Sequence, residues 1–152
     1  MRYFTKISLG VQAFQSCTNL KYVTLPANYV GCTASTSYNY NNIFHMSGIE
    51  KMLFPKSVVG IPYGFLRNCQ SLEYVEIEEN VNFIGENAFS GCPKLITTII
   101  HALTPPTLQN GNFNYNTNII YVPDESVEAY RAATNWSVLS SRIKPMSEFV
   151  EK

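Results

Sequence analysis

The side chains that could carry out covalent or acid–base chemistry are few in this chain of 152 residues. It has four cysteines, two histidines and a single aspartate, Asp124. A thiol nucleophile with an imidazole base would need a pair such as Cys32 and His45, and nothing in their spacing holds these groups together. Common zinc, phosphate-loop and paired-cysteine motifs do not occur. We therefore expect no catalytic residue, metal or cofactor, and we expect His45 and His101 to lie without partners at loop edges.

A repeated segment contains most of these residues. The sequence AFQSCTNLKYVTLP at residues 13–26 returns three times in degraded form, at intervals of 29, 23 and 23 residues. A period of this size is typical of repeat proteins, in which each unit buries its apolar face against the next. Such a stack favours a binding surface over an enclosed catalytic pocket.

Aligned copies share five columns, in which Thr98 is the one polar entry among twenty. The apolar spacing of three in F-x-x-C-x-x-L predicts a turn of α- or 3₁₀-helix, and the alternation in V-x-L predicts a short strand. The columns are Phe14, Ile43, Leu66 and Phe89; Cys17, Met46, Cys69 and Cys92; Leu20, Ile49, Leu72 and Leu95; Val23, Met52, Val75 and Thr98; and Leu25, Phe54, Ile77 and Ile100.

Three cysteines fall in one column, where we predict that they point inward as small apolar side chains, with Met46 in the same position of the second copy. Strands of neighbouring units lie about 5 Å apart, so a Cys69–Cys92 disulfide is within reach. We nevertheless predict free thiols, because a bond would pull both side chains out of their packing. Cys32 has no evident partner.

The long first interval places an insertion within residues 29–42, an uncharged stretch rich in Asn, Ser, Thr and Tyr. Such a composition is typical of a surface loop. It also suits a recognition loop in which Tyr29, Tyr38 and Tyr40 contact a partner. The sequence leaves both alternatives open.

Residues that alternate with the buried strand positions are predicted to point outward in two rows. Parallel stacking would make a patch about 15 Å across the strands, smaller than a standard interface of about 800 Å² per partner. The alternative is a sheet surface that only contacts solvent. The rows are Tyr22, Lys51, Tyr74 and Thr97, and Thr24, Leu53, Glu76 and Ile99. The candidate binding residues are Tyr22, Lys51, Tyr74 and Glu76, together with Tyr38 and Tyr40.

Residues 105–152 are predicted to close the repeat units of residues 1–104 within the same domain. Phe113, Ile120 and Val122 suggest an abbreviated fifth unit. A helix capped by Asp124 or Ser126 would follow, with a last short strand at 142–144. Repeat proteins need such a cap for solubility. The apolar face of the predicted helix would contain Val127, Tyr130 and Ala133. Trp136 would be either a buried core residue that plugs the end of the stack or a platform for a ligand.

Composition argues against several classes of function. Eleven basic and eleven acidic side chains cancel, and only 14% of residues are charged, so no electrostatic footprint for nucleic acid or anionic membrane is present. No run approaches the roughly 20 apolar residues of a membrane span. The start lacks the apolar core of a secretory signal. We expect either a trimmed piece of a longer secreted array or a complete protein whose first unit another subunit covers.

The repeat AFQSCTNLKYVTLP, the segment GFLRNCQSLEYVEIEENVNFIGENAFSGCPKL and the ending TPPTL…IIYVPDESVEAYRAATNW resemble the BspA-like (treponemal-type) leucine-rich repeats over residues 7–145. The resemblance implies a mixed α/β solenoid of about four coils of short parallel strands with helical turns. A C-terminal cap with one helix would close it. Four residues depart from the usual pattern of the family. We expect them to affect the regularity of single coils and not the stacking of the coils. They are Met46, Glu78, Thr98 and His101.

The resemblance also implies a function. Members are mostly surface or secreted proteins of host-associated bacteria, and as a rule they have no catalytic residues. We therefore expect a non-enzymatic extracellular or cell-surface adhesion module that binds a protein or glycan on a host or neighbouring cell. The alternative is a spacer or assembly unit of a larger surface protein, joined as a homo-oligomer through an uncapped first coil.

Overall fold

The strands of the protein are parallel and form two sheets in the computed structural model, which describes residues 9–31 and 42–151. The larger sheet has five strands in the order β1-β3-β5-β7-β8, and the smaller has three in the order β2-β4-β6. From β1 to β7 the strands belong alternately to the larger and the smaller sheet, so the second, third and fourth units each contribute one strand to each sheet. The strands are β1 (Lys51–Leu53), β2 (Gly60–Ile61), β3 (Tyr74–Ile77), β4 (Phe83–Ile84), β5 (Thr97–Ile100), β6 (Thr107–Leu108), β7 (Ile119–Val122) and β8 (Ile143–Pro145).

Strand register follows the repeat period, as the alignment of the copies predicts. In the first unit, residues 9–31, isolated parallel bridges from Tyr22 to Lys51 and from Gly31 to Gly60 continue both sheets. The inward strand positions that pair in succession are Met52, Val75, Thr98, Ile120 and Ile143, and all are buried.

The predicted apolar spine is present. Ile49, Leu72 and Leu95 are completely buried and belong to one core cluster, and Leu20 packs partly buried against it. Because strand register is kept from unit to unit, these side chains lie in a single file. Burying a side chain of this size contributes about 1.5–3 kcal/mol, so the spine is a major source of stability.

The turn before each strand of the larger sheet differs from the prediction. The F-x-x-C segments form hydrogen-bonded turns with two left-handed residues, and not helical turns. The third unit has Gly64 (φ 61°) and Asn68 (φ 58°), and the fourth has Asn87 (φ 55°) and Gly91 (φ 71°). Glycine and asparagine adopt this conformation at the least cost. Asn68 also lies against Gly91, where a Cβ would come within 2.1 Å of Asn68 Oδ1.

The second unit is shifted by one residue relative to the predicted columns. Met46 has a φ of 58°, is 49% exposed and donates its N–H to the Arg67 carbonyl, just as Asn68 donates to Ser90. Met46 is therefore the counterpart of Asn68, and its predicted inward position is wrong. Ser47 takes that position instead, with its Oγ 3.5 Å from Cys69 Sγ.

The connection from this turn to β1 is consequently one residue shorter than in the third unit. Gly48 occupies the connection and donates its N–H to the Cys17 carbonyl. A Cβ at Gly48 would lie 1.9 Å from the Thr18 carbonyl oxygen. Only a residue without a side chain allows the first two units to approach this closely.

The cysteine column is a column of hydrogen-bond donors to the preceding unit. The thiols of Cys69 and Cys92 are free and donate to the carbonyls of Phe44 and Leu66, each at 3.1 Å. In the fifth unit Asn116 Nδ2 donates to the Phe89 carbonyl at 3.0 Å. The Phe113 carbonyl, next in this series, accepts Arg142 Nη2 at 3.3 Å.

A cap covers the last unit. It contains a 3₁₀ turn (Asp124–Ser126), helix α1 (Val127–Ala132) and a second 3₁₀ segment (Ser137–Arg142). Val127 and Tyr130 are buried, as predicted for the apolar face. Trp136 is completely buried, donates Nε1–H to the Pro106 carbonyl at 2.8 Å and packs edge-on against Tyr130. The prediction of a core plug is confirmed, and that of a ligand platform is wrong.

The predicted helix caps are wrong. Neither Asp124 nor Ser126 makes a side-chain cap to its helical segment. Ser126 Oγ donates to the Leu103 carbonyl at 2.8 Å, and the Asp124 carboxylate accepts the Ser147 N–H at 3.0 Å. Both side chains therefore join the cap to other parts of the chain.

Thr98, the polar exception in the apolar columns, has a specific partner. It is completely buried, and its Oγ1 accepts Asn118 Nδ2 at 2.9 Å. Asn118 Oδ1 in turn accepts Arg142 Nη1 at 3.2 Å. Partial burial lowers the pKa of Arg142. A buried hydroxyl is tolerated when its hydrogen bond is satisfied, so Asn118, held in turn by Arg142 of the cap, makes the threonine acceptable.

Candidate functional site

The outward sheet face is the side of the larger sheet opposite the core, and the register confirms the first predicted row and the second from Leu53 onward. Alternation is clear in β3, where Val75 and Ile77 are buried while Tyr74 and Glu76 are partly exposed. The first row is Tyr22, Lys51, Tyr74, Thr97 and Ile119, and the second is Leu53, Glu76, Ile99, Tyr121 and Lys144.

A polar cluster lies at the centre of this face. Glu76 accepts Tyr74 OH through Oε2 and contacts His101 Nε2 through Oε1, both at 2.8 Å. Although partial burial opposes the change, the hydrogen bonds from His101 and Tyr74 lower the pKa of Glu76. Burial, followed by the hydrogen bond to Glu76, raises the pKa of Tyr74. The carboxylate is therefore fixed in its ionised form between two aromatic donors.

His101 was expected to have no partner, and this expectation is wrong. The contact between His101 and Glu76 could have been predicted from the repeat period. Ile99 follows Glu76 by one repeat, and residue 101 lies on the same strand face as Ile99. A histidine two residues beyond the pairing partner can therefore reach the carboxylate diagonally.

Lys51 and Tyr22 form the exposed side of the site. Lys51 Nζ lies 4.3 Å from the centroid of the Tyr74 ring, a cation–π geometry. Tyr22 is 73% exposed, and its hydroxyl donates to the Glu50 carboxylate at 3.3 Å. The same carboxylate forms an ion pair with Lys21 at 2.8 Å. The four predicted sheet residues thus lie side by side with aromatic, cationic and anionic groups in fixed positions.

The opposite side of the face is covered. Ile99, predicted as an outward contact residue, is only 4% exposed. Tyr121, its neighbour in the same row, packs edge-on against Phe149 with ring centroids 5.1 Å apart. The predicted outward patch is therefore open only in part, and the sequence pattern gives no sign that a residue after β8 packs on Tyr121.

The insertion contributes differently from the prediction where it is described. Tyr29 is 3% exposed, packs near Phe65 and accepts Ser57 Oγ–H through its carbonyl at 2.6 Å. It is a core residue, and its predicted place in a recognition loop is wrong. Tyr38 and Tyr40 lie outside the described residues.

The thiols differ in environment. Cys69 and Cys92 are buried, whereas Cys17 is exposed, so its predicted inward position is wrong. The neighbouring Cys69 thiol and burial both raise the pKa of Cys92, which keeps this thiol protonated and poorly nucleophilic at neutral pH. Cys32 lies outside the described residues.

His45 is the remaining histidine of the chain. Burial and the nearby Arg67 lower the pKa of His45, which favours the neutral imidazole. Within residues 9–31 and 42–151, no group of three acidic, histidine or cysteine side chains could hold a metal ion. No helix in the same part of the chain is long and apolar enough to cross a membrane.

An open groove lies on the turn side of the stack, away from the outward sheet face. Its volume is about 430 Å³, and it lies beside the shortened connection of the second unit. Its lining has no charged side chain and consists of Thr18, Met46, Ser47, Gly48, Asn68, Gln70 and Ser71. The groove offers no group for acid–base chemistry.

Comparison with known families gives one result. The model of the BspA-type leucine-rich repeat region matches residues 4–120 in six copies. A search of curated proteins finds no match to this chain.

Proposed function

Because this chain belongs to the BspA-type leucine-rich repeat family, we propose that it is a non-catalytic recognition and adhesion module that binds a macromolecular partner. The stacked units form a solenoid of about four coils with a C-terminal cap. The family suggests a repeat-based interaction module, and the outward sheet face is the surface that this proposal assigns to the partner.

The observation that carries the proposal is the fixed register of unlike groups on this face. Tyr22, Lys51, Tyr74 and Glu76 come from three successive units and lie in rows with the strand spacing of about 4.8 Å. Hydrogen bonds and the cation–π contact hold several of these side chains before any partner arrives. Preorganised groups lose little conformational entropy on binding, so more of the contact energy becomes affinity.

The partner is a protein or a glycan on a host or neighbouring cell, and the protein acts outside the cell or at its surface. Exposed tyrosines suit both partner classes, because they offer a broad ring and a hydroxyl. The insertion at residues 29–42 would enlarge the contact through Tyr38 and Tyr40.

A binding experiment tests this proposal. The wild type is assayed against matrix proteins and a glycan array, and each hit is re-measured with the Tyr22→Ala/Lys51→Ala variant. We expect at least about a tenfold loss of affinity, since interface aromatic and cationic residues often contribute more than about 1.4 kcal/mol. Tyr115→Ala is the matched control, because Tyr115 is 87% exposed in a turn away from the face. Equal affinity of wild type and double variant would exclude the face.

An assembly role is the second candidate, favoured by apolar exposure at the first unit. In the first unit Val11 and Phe14 are 59% and 37% exposed, and Met46 of the neighbouring second unit is 49% exposed. In this case the chain is a spacer or joining unit of a larger surface protein. Solution scattering separates these roles: a dimer that Phe14→Ser converts to a monomer supports a joining unit, whereas a wild-type monomer contradicts a joining unit and favours a spacer.

A further inference from the structure

The segment after β8 lies over the outward sheet face. Residues Met146–Glu148 form a 3₁₀ turn that leads to Phe149, whose ring packs on Tyr121. Burial and the hydrogen bond to Glu76 raise the pKa of Tyr74, and the charge of Glu151, two residues after Phe149, adds to this shift. Tyr121 is in β7 and Tyr74 is in β3, so the segment runs across the strands towards the polar cluster.

The two ends of the second outward row, on either side of Glu76, differ in how far their side chains are exposed. Leu53 and Ile99 both point outward from the larger sheet, one on either side of Glu76. Leu53 is 48% exposed, and Ile99 is 4% exposed. The apolar surface of the face is therefore buried at β5, next to the contact between Tyr121 and Phe149, and exposed at β1.

The contacts that hold the segment are few and exposed. Phe149 is only partly buried, Lys144 and Glu148 form an exposed ion pair at 3.1 Å, and the Ser147 N–H donates to the exposed Asp124 carboxylate. Exposed ion pairs contribute about 0–1 kcal/mol. After Pro145, the described residues of the segment add no strand to either sheet. A segment with such contacts can leave the face without unfolding the stack.

We propose that residues 146–151 are a built-in occupant of the outward sheet face, which receives an extended peptide with an aromatic side chain over Tyr121 and an acidic side chain near Lys51 and Tyr74. This inference rests on the proposed function, since both use the same face. The aromatic group makes an edge-to-face contact with a tyrosine. The Lys51 ammonium, 4.3 Å from the centroid of the Tyr74 ring, would attract an acidic side chain at this point of the face. A partner peptide must displace the chain's own segment, which lowers its apparent affinity by the fraction of open molecules.

The test supplies the segment as a separate molecule. The chain is truncated after Pro145, and the peptide MSEFVEK, which corresponds to residues 146–152, is titrated while amide shifts are followed by NMR. We expect shifts in β3, β5 and β7 of the truncated chain and at least about tenfold weaker binding to the full chain, where the tethered segment competes. No binding to the truncated chain at about 1 mM peptide, or equal binding to both chains, would overturn the inference.

A second variant covers the case in which the truncated chain does not fold. In the full chain, Phe149→Ala should release the segment and allow the wild-type peptide to bind, whereas Val150→Ala, at a 76% exposed position, should not. Equal behaviour of the two variants would contradict the inference. This readout needs no external partner. If the peptide binds as expected while Tyr22→Ala/Lys51→Ala leaves all other binding unchanged, only the proposed function fails.

Discussion

The first unit and the C-terminal units contain equivalent positions of one repeat, but their side chains are buried to different extents. Phe14 is 37% exposed, whereas Phe113, the corresponding aromatic residue of the fifth unit, is 1% exposed. Cys17 is exposed, whereas Cys92 is completely buried. Pairing differs as well, since the first unit makes isolated bridges and β5 and β7 are strands of four residues.

The repeat pattern therefore predicts where a side chain lies within its unit, whereas its burial depends on whether a neighbouring unit or the cap packs against it. The C-terminal units are covered by Trp136, by helix α1 and by the polar contacts of Arg142. Within the described residues, no comparable element covers the first unit. Local stability in such a stack varies with the number of buried neighbours, so we expect it to rise from the first unit towards the cap.

The largest effect is expected from removing the tryptophan at the covered end. Trp136→Ala should lower the free energy of unfolding by about 3–5 kcal/mol, because it leaves a cavity and an unpaired Pro106 carbonyl. Phe14→Ala, at the open end of the same aromatic series, should cost less than about 1.5 kcal/mol. Urea unfolding measures both values, and losses of equal size would contradict the comparison.

Thiol reactivity can sharpen the comparison without perturbing the core. In a Cys32→Ser background, Cys17 should react with an aromatic disulfide reagent at least about a hundred times faster than Cys69 or Cys92, because burial restricts access of the reagent to both of these thiols. Mass spectrometry of quenched samples identifies each labelled site. Similar rates at the three cysteines would show that the stack opens as readily near the cap as at the first unit.

A smaller loss of stability is expected from breaking the buried hydrogen bond between Thr98 and Asn118. Thr98→Val should lower stability by about 1–3 kcal/mol, because the buried Asn118 amide loses its acceptor. Thr24→Val is the control at an exposed position of the first unit and should change stability by less than about 0.5 kcal/mol. If the two variants are equally stable, the polar contact does not contribute to the difference between the ends.

The smallest effect concerns pH at the centre of the outward sheet face. The pKa of Glu76 is lowered on folding, so its favourable contribution is present above the unfolded value of about 4.5 and is lost as pH falls through the lower folded value. The contribution should stay below about 1 kcal/mol, because the group is partly exposed. Glu76→Gln should flatten the stability curve in this acidic range, with exposed Glu125→Gln as the control. Identical slopes for wild type and Glu76→Gln would contradict this assignment.

The strands and the spine could be predicted from the sequence because both depend on the period. A constant interval places Val75 opposite Thr98 and Tyr74 opposite Thr97 without further information. The buried position of Trp136 could also be anticipated, because a large apolar side chain after an amphipathic helix has few other places to go.

Other features depend on contacts that the pattern does not contain. Ile43 and Phe44 are both apolar, so the columns fit the second unit almost equally well in two alignments, and only the hydrogen bonds of Met46 show which is correct. The exposure of Cys17 and the covering of Ile99 depend on distant segments. Asp124 was a good helix cap by residue type, yet its carboxylate binds Ser147 instead.

The donor column gives the array a chemical direction. Each unit from the third to the fifth brings a donor to the carbonyl of its predecessor and leaves a carbonyl for its successor. Elongation past the fifth unit would therefore require the guanidinium of Arg142 to withdraw, since it already satisfies the Phe113 carbonyl. A unit placed before the first would instead meet the unengaged thiol of Cys17. The guanidinium of Arg142 is thus the terminal donor of the series.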